Sequence, residues 1–262
     1  MNHTLYVSPA ANGSRWLLRR PSTAAPSVRL ICFSYAGGSG SIYLQWQPSL
    51  PAGVELVGVQ LPGRGSRLKE TPLRSMPALV EAISLEIAAM DDGTPFVFFG
   101  HSLGALVAFE VARHQQSHGL AMPQKLIVSG CDAPQFRSPV RNLHELDGEA
   151  FVAALAQYNG TPPELLAHKE LISLLAPAIR ADFYMASHYE YRSGPLLTIP
   201  VTVLAGRRDA DSNLHQVESW RLETSNHCAL HWFDGDHFFI NSEKDQVLAL
   251  LNNELKQFIF SR

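Results

Sequence analysis

Ser102 stands in Gly100-His101-Ser102-Leu103-Gly104, a G-x-S-x-G pentapeptide. A serine in this setting can act as the nucleophile of acyl transfer when the pentapeptide forms a sharp strand-to-helix turn. The turn pushes the hydroxyl up at the sheet edge. The N–H groups that follow it lie at a helix N-terminus, where they stabilise a developing oxyanion. The hydroxyl itself is a poor nucleophile until a histidine takes its proton, and that histidine needs a carboxylate to fix its tautomer. The chain order expected with such a turn is Ser, then Asp or Glu, then His. His237, in Gly235-Asp236-His237-Phe238-Phe239, comes directly after the apolar run Cys228 to Phe233, where a loop-borne base belongs. His231 lies inside that run and reads as a packing or surface residue. Two acids compete: Asp209 after the run Ile199 to Leu204, and Asp132 after Lys125 to Ser129. Either can be aimed at the same place, whereas Asp211 reads as a solvated turn residue. The oxyanion donors expected are the backbone N–H groups of Leu103, after the nucleophile, and of Ala36, in an earlier glycine-rich loop.

These residues are useful only if strands and helices bring them to one edge. Phe96 to Phe99 is apolar, aromatic and too short for a helix, so it reads as a buried strand. Leu103 to Arg113, with Leu106, Val107, Phe109, Val111 and several alanines, suits a buried helix. Further strands are expected at Val28 to Phe33, Val54 to Gln60, Lys125 to Ser129, Ile199 to Leu204 and Cys228 to Phe233, with a short edge strand in RWLLRR. Helices are expected at Pro77 to Met90 and Leu248 to Phe260. Strands of this length alternating with helices imply a mostly parallel sheet covered by helices on both faces, an α/β fold. One connection, Cys131 to Thr198, is far longer than a crossover needs. Its helical stretches, Gly148 to Gln157 and Lys169 to Tyr191 with a kink expected at Pro177, flank the turn YNGTPPE. An insertion over residues 133–197 on the side where the strands end is expected to be a lid over the site. The chain is expected to be a single domain, 1–262.

Composition narrows the function class. Formal net charge is -3 over 262 residues, without a run of Lys or Arg, so nucleic acid is not an expected partner. No stretch approaches the apolar length of a membrane span, and the N-terminus shows no signal-peptide pattern. Three cysteines, Cys32, Cys131 and Cys228, form no C-x-x-C pair and no disulfide framework. A cytoplasmic, monomeric enzyme without a cofactor or metal of its own is expected. The loop Ser34 to Gly40 matches neither G-x-x-x-x-G-K-[ST] nor G-x-G-x-x-G, so no nucleotide site is expected there.

FSYAGGSGSIY, VQLPGRGSRLKE, FFGHSLGALVAFEVAR, PAIRADFYMASHYEYR, LAGRRDA and GDHFF together resemble the type II thioesterases that accompany nonribosomal peptide and polyketide synthases. The resemblance runs from the first strand to the last loop. It implies an α/β-hydrolase fold with a helical lid, and it places the nucleophile on Ser102, the acid on Asp209 and the base on His237. It also implies a substrate class: acyl groups on the phosphopantetheine arm of acyl or peptidyl carrier protein domains. Gly65 in PGRGSR and the segment CDAPQF depart from the family's usual residues near the entrance, which bears on substrate preference. Arg64 and Arg67 are read first as solvated or loop-bracing residues, and second as candidates to meet an acidic carrier or the arm's phosphate. Leu171, Ile172, Leu175, Ile179 and Phe183 would line a slot for the arm or pack the lid, and His101 would be structural. A small-ester carboxylesterase with the same triad, and a non-enzymatic binding module, are the competing readings.

Overall fold

The computed structural model describes residues 14–20, 24–136, 142–157, 160 and 166–259. Seven strands form one sheet: β1 (Leu17–Arg19), β2 (Val28–Phe33), β3 (Val54–Val59), β4 (Phe96–His101), β5 (Lys125–Ser129), β6 (Val201–Gly206) and β7 (Cys228–Phe233). Their spatial order is β1-β3-β2-β4-β5-β6-β7, and all neighbours are parallel except the antiparallel edge pair β1 and β3. Among the described residues five helices of ten residues or more accompany them: α1 (Met76–Met90), α2 (Leu103–Ser117), α3 (Gly148–Gln157), α4 (Lys169–Ser187) and α5 (Lys244–Ile259).

Every residue of β2 and β4 is buried, because helices cover both faces of the sheet. Side chains alternate across the pleat, so Phe96 and Phe98 face one layer while Val97 and Phe99 face the other. Phe96 and Phe98 pack with Leu79, Ile83 and Ile87 of α1 and with Leu106 and Phe109 of α2. Val97 and Phe99 join Val247, Leu248, Leu251 and Leu255, the apolar stripe of α5. Helix α1 starts at Ser75, whose hydroxyl accepts from the Ala78 N–H, with Pro77 in the first turn where no intrahelical donor is lost.

The long connection between β5 and β6 contains α3 and α4. It has a small core of its own, in which Leu143, Phe151, Leu155, Ile172, Ile179 and Phe183 pack together against Ala36 of the β2 loop. Helix α4 is continuous through Pro177 and ends at Ser187, earlier than the expected Tyr191. The Leu103 helix extends past Arg113 to Ser117, and the C-terminal helix begins at Lys244 rather than Leu248. Most of YNGTPPE lies outside the described residues. Among the described residues no helix is long and apolar enough to cross a membrane, no group of His, Cys, Asp and Glu could hold a metal ion, and the three cysteines form no disulfide.

Parallel pairing brings the C-terminal ends of β2, β4, β5, β6 and β7 to one edge. Ala36, Ser102, Asp132, Asp209 and His237 all lie within four residues of those ends.

Candidate active site

Ser102 has φ 55° and ψ −120°, and it has the one positive φ of any non-glycine among the described residues. Such a conformation is costly and persists only where the surroundings impose it. Here they do so through close packing. A Cβ on Gly100 would lie 2.2 Å from the Gly104 carbonyl oxygen, and a Cβ on Gly104 would lie 2.1 Å from that of Phe33. Glycine at both positions lets α2 press its first turn onto the ends of β2 and β4. The Ser102 N–H donates to the Ser129 carbonyl at 2.8 Å, tying the turn to β5.

His237 Nε2 lies 3.0 Å from Ser102 Oγ, and His237 Nδ1 lies 2.8 Å from Asp209 Oδ2. With Nδ1–H donating to the carboxylate, Nε2 is left as the acceptor for the serine proton. Asp209 is buried and accepts two further hydrogen bonds: the Asp211 N–H reaches Oδ1 at 3.0 Å and the Ser212 hydroxyl reaches Oδ2 at 3.1 Å. Burial pushes this carboxyl towards its neutral form. The His237 hydrogen bond and charge outweigh it, with help from Asp211 and Ser212, so its pKa falls below the usual carboxylate value. Asp132, the other acid open from the residues, accepts from the Asn213 N–H at 3.3 Å. The order Ser, Asp, His along the chain thus becomes a continuous line of hydrogen bonds across three loops.

His101 is fully buried in the turn, with Nδ1 3.0 Å from Ser129 Oγ and its ring 5.3 Å from that of His237. Burial, and then the neighbouring His237, hold its pKa well below the ordinary histidine value, so it stays neutral. Phe238 packs edge-on to Tyr35 at 5.0 Å and to His237 at 5.2 Å, which shields the imidazole with aromatic surface. His231 is half-buried in β7, opposite Leu204.

Ala36 lies in a turn over Tyr35–Gly38, closed by the Gly38 N–H donating to the Tyr35 carbonyl at 2.9 Å. Gly37, at φ +77°, occupies the position where a type II turn calls for glycine. The Ala36 and Leu103 N–H groups donate to no acceptor among the described residues. Both follow strand ends at the edge that carries Ser102, Ala36 after β2 and Leu103 after β4.

Of the alternatives for Arg64 and Arg67, loop bracing holds and the solvated and carrier-facing ones do not: the two are buried, 3% and 4% exposed. Arg64 pairs with Asp182 of α4; Arg67 stacks over Trp16 at 3.9 Å, pairs with Glu70 and donates to the Gln60 carbonyl. A guanidinium satisfied inside the protein needs no solvent-facing partner. Leu171 points outward and is 45% exposed, because its position in the first turn of α4 falls off the buried stripe; Ile172, Ile179 and Phe183 are buried and Leu175 is half-buried. Asp182 went unremarked in the sequence. Its signal was there: an acid between Ile179, Ala181, Phe183 and Ala186 on the apolar side of a helix needs a buried partner.

Residues 28–255 match the family model of the thioesterase domain. The chain is similar to linear gramicidin dehydrogenase LgrE of Brevibacillus parabrevis, 37% identical over 97% of this chain and 96% of that one. It is likewise similar to thioesterase PikA5 of Streptomyces venezuelae, 38% identical over 92% of this chain and 85% of that one. Among solved structures, the type II thioesterase BorB from the borrelidin biosynthetic cluster superposes with a TM-score of 0.84 at 32% identity, covering 92% of this chain and 97% of that one. The fold is therefore that of the α/β-hydrolases, the class of serine hydrolases that includes enzymes cleaving thioesters. This chain belongs to the thioesterase family, with the type II thioesterases of nonribosomal peptide and polyketide synthesis. The dehydrogenase name belongs to the one relative; the glycine loop of this chain carries no dinucleotide fingerprint.

Proposed function

We propose that the protein hydrolyses aberrant or stalled acyl groups from the phosphopantetheine arm of carrier protein domains, using Ser102 as nucleophile, His237 as general base and acid, and Asp209 as the orienting carboxylate. The reading rests above all on the unbroken line from Asp209 Oδ2 through His237 to Ser102 Oγ, at 2.8 and 3.0 Å, within a thioesterase fold.

The thioester carbonyl seats between Ser102 and the N–H groups of Ala36 and Leu103. Oγ attacks the carbonyl carbon as Nε2 takes its proton, and the carbonyl oxygen gathers charge against the two amides and the N-terminus of α2. Asp209, ionised because its hydrogen bonds outweigh its burial, stabilises the imidazolium. The tetrahedral centre collapses, the C–S bond breaks, and the departing sulfur takes the proton from Nε2. Water then repeats the sequence on the acyl-serine, releasing the free acid and restoring Ser102. All proton transfers run through His237. The arm belongs to the partner, and the protein's own side chains and amides supply the chemistry. Residues 133–197, with α3 and α4, are proposed as the lid that covers the arm, in a protein that acts as a monomer in the cytoplasm.

The test compares acyl-loaded carrier protein with a simple aryl ester, using the unaltered protein and Ser102→Ala. Hydrolysis of the loaded carrier that vanishes with Ser102→Ala supports the reading. Efficient aryl-ester turnover with the carrier ignored points instead to a carboxylesterase. An unchanged rate in Ser102→Ala removes the site assignment.

A further inference from the structure

Arg64 and Asp182 are 118 residues apart in sequence, and their side chains are only 4% and 1% exposed. The pair is bidentate: Arg64 donates through one nitrogen to Asp182 Oδ1 at 2.8 Å and through the other to Oδ2. A buried ion pair is a weak source of stability compared with apolar side chains of the same volume. Its further contacts say more about its role. Asp182 Oδ2 also accepts the Gly37 N–H at 2.7 Å, and Arg64 also donates to the Gly38 carbonyl at 3.2 Å.

Both contacts fall on the turn that carries Ala36. In that turn the Tyr35 carbonyl accepts from the Gly38 N–H. The Tyr35 carbonyl and the Ala36 N–H belong to one trans peptide and point in opposite directions. Fixing that carbonyl inside the turn therefore aims the Ala36 N–H outward. Asp182 holds the Gly37 N–H and Arg64 the Gly38 carbonyl, while the Ala36 N–H donates to no acceptor among the described residues. Gly37 has no Cβ to lock it, and its φ of +77° is one that glycine can leave at little cost. Without Asp182 the turn loses the hydrogen bond that ties its Gly37 amide to α4, and with it the anchor that fixes where the Ala36 N–H stands. Asp182 lies on α4, and Ile179, one turn earlier on that helix, packs directly against Gly37. Gln60 completes the bracing: its side chain accepts from the Gly40 N–H and donates to the Arg64 carbonyl.

We infer that Asp182 and Arg64 are positioning residues that hold the Ala36 amide as an oxyanion donor, and that they make this donor depend on α4 being seated. The inference rests on the thioester-hydrolysis reading of Ser102. Neither side chain touches the reacting atoms. Their effect passes through the backbone of the turn and falls on the transition state rather than on ground-state binding.

The test measures kcat and KM for acyl-loaded carrier with the unaltered protein, Asp182→Ala, Asp182→Asn, Arg64→Ala and the double variant. Affinity for an acyl trifluoromethyl ketone, which forms a tetrahedral oxyanion on the serine, is measured in parallel, with circular dichroism and melting to establish folding. Asp182→Ala should lose roughly 10- to 100-fold in kcat and a similar factor in ketone affinity, with KM within about threefold. Asp182→Asn should fall between, because its amide oxygen still accepts from Gly37 while the charge pairing with Arg64 is lost. The double variant should lose no more than about threefold beyond the worse single one, because the two residues act on one turn. A folded Asp182→Ala with kcat within about twofold, or with its loss confined to KM, overturns the inference. Should the alanine variant not fold, Asp182→Asn is decisive: a kcat loss of about 3- to 10-fold supports the inference and a loss under about twofold overturns it. If the unaltered protein itself ignores loaded carrier, the proposed function fails instead, and the control arm separates the two outcomes.

Discussion

Replacing Asp209 with asparagine exchanges one oxygen for an NH2 group, and the surrounding donors determine where that nitrogen goes. Oδ1 accepts from the Asp211 N–H and Oδ2 sits against His237 Nδ1 and Ser212 Oγ. An NH2 at the Oδ1 position would face the backbone N–H, donor against donor. The remaining oxygen of the side chain therefore stays with Asp211, and the NH2 turns to His237 and Ser212, whose hydroxyl can rotate to accept. Nδ1 must then accept a hydrogen bond rather than donate one, which moves the ring proton to Nε2. That nitrogen can no longer take the proton of Ser102 Oγ, 3.0 Å away. The wrong tautomer is expected to cost about 10⁴-fold in kcat, or about 5.4 kcal/mol of barrier at 1.36 kcal/mol per decade. The assay is single-turnover deacylation of a loaded carrier, read by intact-protein mass, with Asp132→Asn alongside. Asp132 accepts from the Asn213 N–H, and its variant should keep more than about a tenth of the rate. A folded Asp209→Asn within about tenfold of the unaltered protein would refute the tautomer argument. A collapse in Asp132→Asn instead would move the acid to the neighbouring strand.

Three other outcomes follow from the packing. Gly104→Ala places a Cβ 2.1 Å from the Phe33 carbonyl oxygen, which neither strand nor helix can yield. It should destabilise by about 3 kcal/mol and lower the melting temperature by roughly 6–12 °C, and a melt within about 2 °C would contradict it. His101 is buried neutral, with its folded pKa well below that of the unfolded chain. As pH falls below about 6.5 the unfolded chain binds a proton that the folded one refuses. This group therefore lowers stability towards acid, by up to about 1.4 kcal/mol per pH unit, until its folded pKa is reached. Urea titrations between pH 7.5 and 5.5 should show a shallower slope for His101→Asn; equal slopes would contradict the assignment. Arg67→Ala removes the donor to the Gln60 carbonyl and the stack on Trp16, so it should destabilise by about 1.5–3 kcal/mol while KM for carrier changes less than about threefold. A selective rise in KM would return Arg67 to the docking surface.

The strands were legible because their apolar runs are short and bounded, and β2 and β4 are buried along their whole length. The sharp turn at Ser102 was legible because glycines flank the serine between an apolar strand and a buried helix. The residues alone left two acids open. Asp209 and Asp132 each follow a strand by three residues, and only the reach of the β6 loop to His237 distinguishes them. Helix ends were less visible: α2 runs past Arg113 through the polar residues His114 to Ser117, and its stop signal is Gly119, at φ +64° just beyond the C-cap His118. The roles of Arg64 and Arg67 were hardest to read. A charged residue in a Pro-Gly loop suggests solvent, and its burial depends on an acid more than a hundred residues away in α4.

The central claim is that carrier-bound thioesters are cleaved through an acyl-serine at Ser102. Its most direct measurement is rapid-quench intact-protein mass spectrometry of the protein mixed with acyl-loaded carrier, followed by mapping of the adduct. The expected result is that the carrier loses the acyl mass while a transient adduct of that mass appears on the peptide containing Ser102 and then decays. A carrier that stays loaded, or an adduct on any other residue, would contradict it.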